Sequence, residues 1–306
     1  MAINLVTKYL PILDGIYKKQ ALTAPLEVNP DNIKFTGANK IELFKMTIDG
    51  MGNYSRANGF VKGDVGNTWE EHTLTQDRGR SFVVDTMDNE ETMNMLFGKL
   101  VGEFFRTKVI PEMDAYRFAK LAGTSGILSA TPADITPGTT DVAGLIDAAE
   151  EAQGDAEVPS EGKLLYVSEL AYRALKSKIT RILVNENNVN TQVEVFNNMI
   201  VRRVPKGRFC TGITMLDGST SGQTGGGYKF TATTSKPINF MIVHPSAVAA
   251  VMKHATNRLF APNVNQTQDA WKYDYRMYHD IFVEENKVKG IYVHTAATGL
   301  AADIVG

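Results

Sequence analysis

The side chains in this sequence that could do chemistry are few, and their spacing matches no familiar catalytic or metal site. The five histidines are spread along the chain, at His72, His244, His254, His279 and His294. A structural zinc site takes its ligands in close pairs, about two to five residues apart, which this spacing does not provide. We therefore expect solvated or hydrogen-bonded histidines, with no metal, no cofactor and no catalytic residue.

The one cysteine and the glycine-rich segment also favour structural readings. A single thiol, Cys210, excludes an internal disulfide, and we expect a partly buried small residue on a strand. Residues 218–222 place Thr220 where a nucleophile elbow carries its nucleophile. The surrounding run from Leu216 to Tyr228 is low in complexity, which is typical of a flexible surface loop. Neither feature predicts an enzyme.

Composition is that of an ordinary globular protein. The chain has 306 residues, of which 43% are hydrophobic and 22% charged, and its net charge is −2. Such a balance gives no basic field that would attract nucleic acid. Lys8 and Asp14 interrupt the apolar start, and no run approaches the roughly 18 apolar residues of a membrane span. We expect no membrane contact, and folding in a reducing compartment.

The first 39 residues read as an arm that lies on another surface. Leu5, Tyr9 and Leu13 stand at helical spacing and predict one short amphipathic helix. Pro25 and Pro30 follow with little periodicity between them. Such a segment cannot bury much surface by itself.

The next segment, residues 40–87, predicts a long two-stranded hairpin. Alternation marks strands at 41–48 and at 81–84, and the stretch between them is dense in glycine and asparagine. An isolated two-stranded hairpin is at best marginally stable in water. We therefore expect it to lie against a neighbouring subunit.

A long helix is predicted from Asp88 to Leu121, where apolar residues recur every three or four positions. At 1.5 Å per residue it would extend about 50 Å. Pro111 predicts a kink near Val109 or Ile110, because proline removes a helical hydrogen bond.

The rest of the chain mixes both kinds of element. Helices are predicted at 141–153, 168–178 and 245–254. Strands are predicted at 163–167, 192–196, 200–204, 239–243, 271–279, 280–284 and 290–294.

This order of elements, with the residues at 71–82 and 109–117, the start from Met1 to Leu5 and the end from Trp271 to Tyr292, resembles a known family. It is similar to the major capsid proteins of tailed bacteriophages, which have the Hong Kong 97 (HK97) fold. The resemblance implies an α+β fold with an N-terminal arm, an extended β-hairpin loop (E-loop), a peripheral domain with a long spine helix, and a mixed α/β axial domain. The implied bounds are 1–39 for the arm, 40–87 for the extended loop, 88–123 with 256–289 for the peripheral domain, and 124–255, possibly with 290–306, for the axial domain.

The same resemblance implies a structural protein of the virion, assembled in the host cytoplasm. Copies would form the pentamers and hexamers of an icosahedral head around double-stranded DNA, which the inner face contacts without sequence specificity. The spine helix begins by Asp88, too early for a built-in scaffolding segment, so a separate scaffolding protein is implied. A portal and a possible decoration protein complete the expected partners.

Residues of the arm, the hairpin and its base are the candidates for contacts between subunits. They are Leu5, Tyr9, Leu13, Tyr54, Arg56, Phe60, Lys62, Trp69, Arg78 and Arg80.

Two other functions stay open at this point. A shell protein of a cellular nanocompartment would share the fold and enclose enzymes and not DNA. A soluble enzyme with an unrecognised site in the middle α/β region would form a small oligomer with a deep polar pocket.

Overall fold

The structure is a computed structural model that describes residues 21–27, 33–36, 39–57, 59–91, 95–186, 189–231, 235–265 and 267–299. Leu5, Tyr9 and Leu13, and the helix predicted around them, lie outside the described residues.

Strands dominate the described chain. Their bounds are β1 (Ile33–Thr36), β2 (Lys40–Ile48), β3 (Val65–Thr73), β4 (Gln76–Asp85), β5 (Leu128–Ser129), β6 (Leu164–Ser168), β7 (Thr180–Glu186), β8 (Val189–Phe196), β9 (Met199–Val204), β10 (Ile213–Met215), β11 (Tyr228–Phe230), β12 (Ile238–Val243), β13 (Val248–Phe260), β14 (Ala270–Val283) and β15 (Ile291–Thr295). The α-helices are α1 (Thr86–Glu91), α2 (Met95–Phe104), α3 (Ile110–Ala122), α4 (Val142–Asp155) and α5 (Glu169–Leu175).

A hairpin is present, but its second strand is not the predicted one. β2 pairs with β3, from Lys40 opposite Thr73 to Ile48 opposite Val65, and β1 adds a third strand. The predicted pairing of 41–48 with 81–84 is wrong, because β4 pairs with β14. β3 carries mostly polar and charged side chains, so its sequence lacks the apolar alternation that marks a half-buried strand. The division of the chain into arm, loop and two domains stays a prediction.

The long helix lies on a three-stranded sheet ordered β13-β14-β4. Phe105, Ile110 and Met113 pack there against Tyr273 and Tyr275 of β14. The predicted disturbance near Val109 takes the form of a π-helical turn, Phe105–Val109, in which the Ile110 amide donates to the Phe105 carbonyl. A π turn is a recognised cause of a helix kink, and this one ends two residues before Pro111.

The predicted helix at 245–254 is wrong. A short 3₁₀ turn, Pro245–Ala247, is followed at once by strand β13, which pairs along its length with β14. Residues 248–251 are all buried apolar side chains, and a short apolar run fits a buried strand as well as a helix. The strands predicted at 271–279 and 280–284 form one strand, β14.

A seven-stranded sheet, ordered β5-β15-β12-β6-β9-β8-β7, forms the main core. Phe118 and Leu121 of α3 cover one face, against Tyr166 and Met241. Helices α4 and α5 cover the other face. The helix at 141–153 and the strands at 163–167, 192–196, 200–204 and 239–243 are confirmed within a few residues at each end. Ser168 caps α5 as predicted, since its hydroxyl accepts from the Ala171 amide at 3.2 Å.

Candidate functional site

The hairpin, residues 40–73, buries one face at its base and exposes the other. Ile41 and Leu43 pack on Ala249, Val251 and Phe282, which fixes the base to the three-stranded sheet. The opposite face carries exposed apolar side chains that share one side of the register: Met46, Ile48, Val65 and Trp69. A contiguous exposed apolar surface of this kind marks an interaction site.

The hairpin tip, residues 49–64, continues that surface. Phe60 is 87% exposed and Met51 fully exposed, and the rings of Tyr54 and Phe60 lie 4.9 Å apart. A close backbone pairing supports the tip, since the Gly59 amide donates to the Ser55 carbonyl at 2.7 Å with Gly59 at φ +77°. Glycine takes this conformation without steric cost.

The contact candidates predicted in the hairpin are thus available to a partner. Tyr54, Phe60 and Trp69 are exposed, and so are Arg56 and Lys62. That exposure is what an inter-subunit contact requires, and their role in contacts stays a prediction.

Arg78, in contrast, is engaged within its own chain. Its guanidinium donates to Glu112 Oε1 at 2.7 Å, to the Leu216 carbonyl at 2.7 Å and to the Gly227 carbonyl at 3.2 Å. These bonds fix both ends of the glycine loop, which we define as residues 216–227, to strand β4 and the long helix.

Arg80 holds the middle of the same loop. Its Nη2 donates to the Thr224 carbonyl at 3.2 Å. A Cβ at Gly218 would lie 2.9 Å from Arg80 Nη1, and one at Gly226 would lie 3.6 Å from it, so the glycines let the guanidinium approach the backbone. We call Arg78, Arg80 and the glycine loop the latch. The sequence predicted a flexible loop. The two arginines that bind the loop lie 138 to 149 residues away from it in the chain, so no local sequence pattern indicates these contacts.

Thr220, at the position that resembles a nucleophile elbow, has a structural role in this loop. Its hydroxyl and its amide both donate to the Asp217 carboxylate, as does the Ser219 amide. These hydrogen bonds hold the pKa of Asp217 well below its usual range. The cluster is a turn within the loop.

A groove of about 730 Å³ lies between the glycine loop, the long helix and strands β4 and β14. Its apolar lining comes from Phe82, Leu100, Phe104, Tyr275 and Met277. Its charged lining is mixed, with Arg78, Arg80, Lys99 and Lys108 beside Glu103, Glu112 and Asp217. The volume falls within the roughly 300–1,000 Å³ range of sites that enclose a small molecule or a few large side chains.

A buried charge cluster anchors residues 21–27 to helix α3. Asp114 accepts from the Leu22 and Thr23 amides and from the Thr23 hydroxyl, at 3.1, 3.2 and 2.7 Å. Arg117, fully buried, donates to Thr23 and to Glu27. Burial raises the pKa of Asp114, and its hydrogen bonds with Thr23 and Leu22 partly oppose that rise. In the sequence, this cluster is indicated only by Asp114 and Arg117, two charged residues one turn apart in a helix that has an apolar face.

A second cluster joins the hairpin base to α3 and β14. Asp280, fully buried, pairs with Lys120 and accepts from the Tyr116 hydroxyl at 2.8 Å and from the Thr75 amide at 2.9 Å. Next to it, burial foremost and the Arg117 charge lower the pKa of His279 to about 3. The Asp280 cluster thus fixes Thr75, which directly follows the hairpin, to α3 and β14.

Cys210 was predicted to be partly buried on a strand; it is fully buried and lies in an isolated bridge with Pro237, outside the strands. Burial raises the pKa of its thiol to about 12. No group of three or more metal-ligating side chains comes together in the described ranges. No helix within those ranges has the length and apolar character needed to span a membrane.

Comparison with known proteins gives a match in three dimensions. No family model and no curated protein matches the sequence. The capsid structure of Cyanophage P-SCSP1u is similar with a TM-score of 0.54 at 11% identity, covering 87% of this chain and 86% of the other. The capsid of Myoviridae Phage XM1 gives 0.52 at 10% identity, covering 90% of each chain. The chain has a phage capsid fold.

This similarity confirms the fold class that the sequence resemblance implied. Because the identities are only 10–11%, the similarity shows the fold and nothing further. The fold also occurs in a structure that is not described as a phage. The crystal structure of a virus-like particle from Pyrococcus furiosus is similar with a TM-score of 0.50 at 12% identity, covering 92% of this chain and 95% of the other.

Proposed function

We propose that this chain is the major capsid subunit of a tailed phage, and that its copies assemble into the icosahedral head. The observation that carries the proposal is the hairpin: on a chain with a capsid fold, its outer face and tip expose apolar side chains that the described residues of the same chain do not cover.

The physical argument is one of burial. Covering a large apolar side chain is worth about 1.5–3 kcal/mol, so Phe60, Met51 and Ile48 together favour association with a partner surface. A stable interface takes about 20–30 residues from each side, which the hairpin with its base can supply. Ordering of the hairpin and assembly are then coupled.

The proposal extends to partners and location. Pentamers and hexamers would form the shell of the virion, assembled in the host cytoplasm with a separate scaffolding protein, a portal and possibly a decoration protein. Packaged DNA would meet the inner face without sequence-specific contacts, which agrees with a net charge of −2. The role is structural and not catalytic.

A second candidate is the shell of a cellular nanocompartment. The similarity to the Pyrococcus furiosus particle, which spans most of both chains, favours it. The contents of the particles distinguish the two functions. A phage capsid is expected to take up DNA, whereas a nanocompartment is expected to enclose a protein cargo. The ratio of absorbance at nucleic-acid and protein wavelengths in particles from the native source decides between them.

The test of assembly is sedimentation velocity and negative-stain imaging of the purified chain, with and without the scaffolding protein. The wild-type chain is expected as capsomers or megadalton particles, and Phe60→Ser as monomer. The matched control is Leu170→Ser, an exposed apolar residue of α5 outside the hairpin, which is expected to assemble. A wild-type chain that stays monomeric under all these conditions would contradict the proposal.

A further inference from the structure

Two exposed aspartates of the described chain are each followed by a glycine, and the structure holds them differently. Asp49 and Gly50 lie at the neck of the hairpin tip, where residues 49 and 64 pair, and Asp217 and Gly218 lie in the glycine loop. An aspartate before a glycine is prone to rearrange, because the glycine has no side chain to hinder attack by its amide nitrogen. The two pairs therefore allow a comparison of one chemistry in two environments.

The rearrangement is a ring closure within the chain. The glycine amide nitrogen attacks Cγ of the aspartate, and one carboxyl oxygen leaves as water with the amide proton and the carboxyl proton. Water then opens the resulting succinimide ring. Opening at the main-chain carbonyl makes the chain run through Cγ and leaves the carboxylate on Cα, which is an isoaspartate of unchanged mass. The water that is lost is regained, so the reaction requires no oxidant, reductant or cofactor.

The Asp49–Gly50 pair has the freedom that ring closure requires. Both residues are exposed and lie outside the strands, and a Cβ placed on Gly50 would meet no atom within 4 Å. Among the described residues, the Gly50 amide donates no hydrogen bond. The Asp49 carboxylate accepts from the Asp64 amide at 2.7 Å, a single contact between two exposed residues. The attacking nitrogen and the carboxyl group can therefore approach each other.

The Asp217–Gly218 pair is held against the same reaction. The Asp217 carboxylate accepts from the Ser219 and Thr220 amides, both at 2.9 Å, and from the Thr220 hydroxyl. These bonds hold the pKa of Asp217 well below its usual range, so the carboxyl proton that would leave with the water is absent. Gly218 lies at φ +75°, and a Cβ there would be 2.9 Å from Arg80 Nη1, so the latch restricts rotation of this backbone.

We propose that Asp49 is a site of spontaneous isomerisation to isoaspartate, and that the folded chain protects Asp217 from the same change. The neck is closed by two bonds, from the Asp49 amide to the Asp64 carbonyl at 3.2 Å and from the Asp64 amide to Asp49 Oδ2 at 2.7 Å. Isomerisation adds one carbon to the main chain and moves the carboxylate onto Cα. The second bond is then lost, and residues 50–63 are released at the neck. This inference goes beyond the proposed function and does not depend on it.

Isoaspartate mapping of the aged chain tests the proposal. The folded, unassembled chain is incubated in buffer, and isoaspartate is located by labelling with an isoaspartyl methyltransferase and by peptide mapping. All samples carry Asn58→Gln, because the asparagine–glycine pair at 58–59 also forms isoaspartate. At least ten times more isoaspartate is expected at position 49 than at position 217. In chains unfolded with guanidinium the two rates should agree within twofold, and equal rates in the folded chain would overturn the proposal.

Matched variants separate the causes at the two positions. Asp49→Glu should abolish the product at position 49, because a six-membered ring closes far more slowly. Gly50→Ala, whose Cβ has open space, should reduce the product at least fivefold. Thr220→Val removes one donor to Asp217 and should raise isoaspartate at position 217 at least threefold, with position 49 unchanged. An unchanged rate at position 217 would show that the hydrogen bonds of the turn do not protect it.

The effect on the neck is measured by nuclear magnetic resonance of the aged, unassembled chain. The Asp64 amide resonance should move in the same direction as in Asp49→Ala, which removes the same acceptor, while the resonances of residues 216–227 stay in place. Repeated methylation by the methyltransferase converts isoaspartate back to aspartate through the succinimide and should restore the original resonance. An Asp64 resonance that is unchanged in chains with isoaspartate at position 49 would overturn the release of the neck.

Discussion

The hairpin and the seven-stranded sheet use apolar residues in opposite ways. All six residues of β12 are buried between helices of the same chain. In the hairpin, Ile48, Val65 and Trp69 remain about half to two-thirds exposed. The sheet is thus stabilised by its own chain, whereas the hairpin requires a surface that another molecule supplies.

This difference separates stability from assembly in the molecule. A substitution in the body should lower the free energy of unfolding of the unassembled chain. A substitution in the hairpin should leave that free energy almost unchanged and act on association. The predictions that follow test the separation, beginning with the largest expected effect.

The largest effect is expected from Asp114→Ala. It removes three hydrogen bonds to residues 22 and 23 and the ion pair with Arg208, all made by a fully buried carboxylate. Breaking a buried charge cluster costs about 3–5 kcal/mol, to be measured by urea unfolding of the unassembled chain. The matched control is Asp64→Ala, an exposed acid of the hairpin, expected within about 0.5 kcal/mol of wild type. Equal effects of the two changes would refute the separation.

The next effect is on pH dependence and arises at His279. Its pKa is about 3 in the folded chain and 6.5 as an ordinary histidine, so below pH 6.5 the unfolded state binds a proton that the folded state does not. Stability from this group is therefore complete above pH 6.5 and is lost as pH falls toward 3, by roughly 2 kcal/mol between pH 7 and 5. His279→Phe should remove that part of the slope. Parallel stability curves for the two proteins would argue against it.

A smaller, local effect is expected in the glycine loop. Gly218→Ala places a Cβ 2.9 Å from Arg80 Nη1 and should displace the guanidinium, so amide exchange in residues 216–227 accelerates. Gly222→Ala has a similar positive φ of 81° and open space around its Cβ, so it carries the same backbone strain of about 1 kcal/mol without touching the latch. Similar exchange rates in the two variants would mean that the arginine contact does not order the loop.

The smallest effect on stability is expected from Phe60→Ala. Its ring contacts Tyr54 and little else in its own chain, so the unassembled protein should unfold within about 0.5 kcal/mol of wild type. Its assembly should nevertheless be impaired, as a raised critical concentration in light scattering will show. A large loss of stability in the unassembled chain would place Phe60 in a core.

The sequence predicted the body better than the hairpin, for a physical reason. Strand β12 and the Ser168 cap leave local marks, a run of apolar residues and a hydroxyl before a helix. β3 is polar on much of its length, so its existence depends on pairing with β2 and was missed. The short apolar run at 248–251 is compatible with a buried helix as well as with a buried strand. It forms a strand because it pairs with β14, a contact that the local sequence does not indicate.

The candidate site divides in the same manner. Exposure of Tyr54 and Phe60 could be anticipated, since aromatic residues within a glycine-rich stretch have no local partner. The intrachain partners of Arg78 and Arg80 could not, because 138 to 149 residues separate them from the glycine loop. Long-range contacts of this kind leave no periodic signal in a single sequence.

The most direct measurement is hydrogen–deuterium exchange of the hairpin amides before and after assembly. In the unassembled chain, the amides of the outer half of the hairpin, residues 46–48 and 65–68, should exchange rapidly while those of β6 and β12 stay protected, and assembly should protect this outer half without changing the sheet. Equal protection of residues 46–48 and 65–68 in the unassembled and assembled states would contradict the account, because the hairpin would then be stable without a second copy.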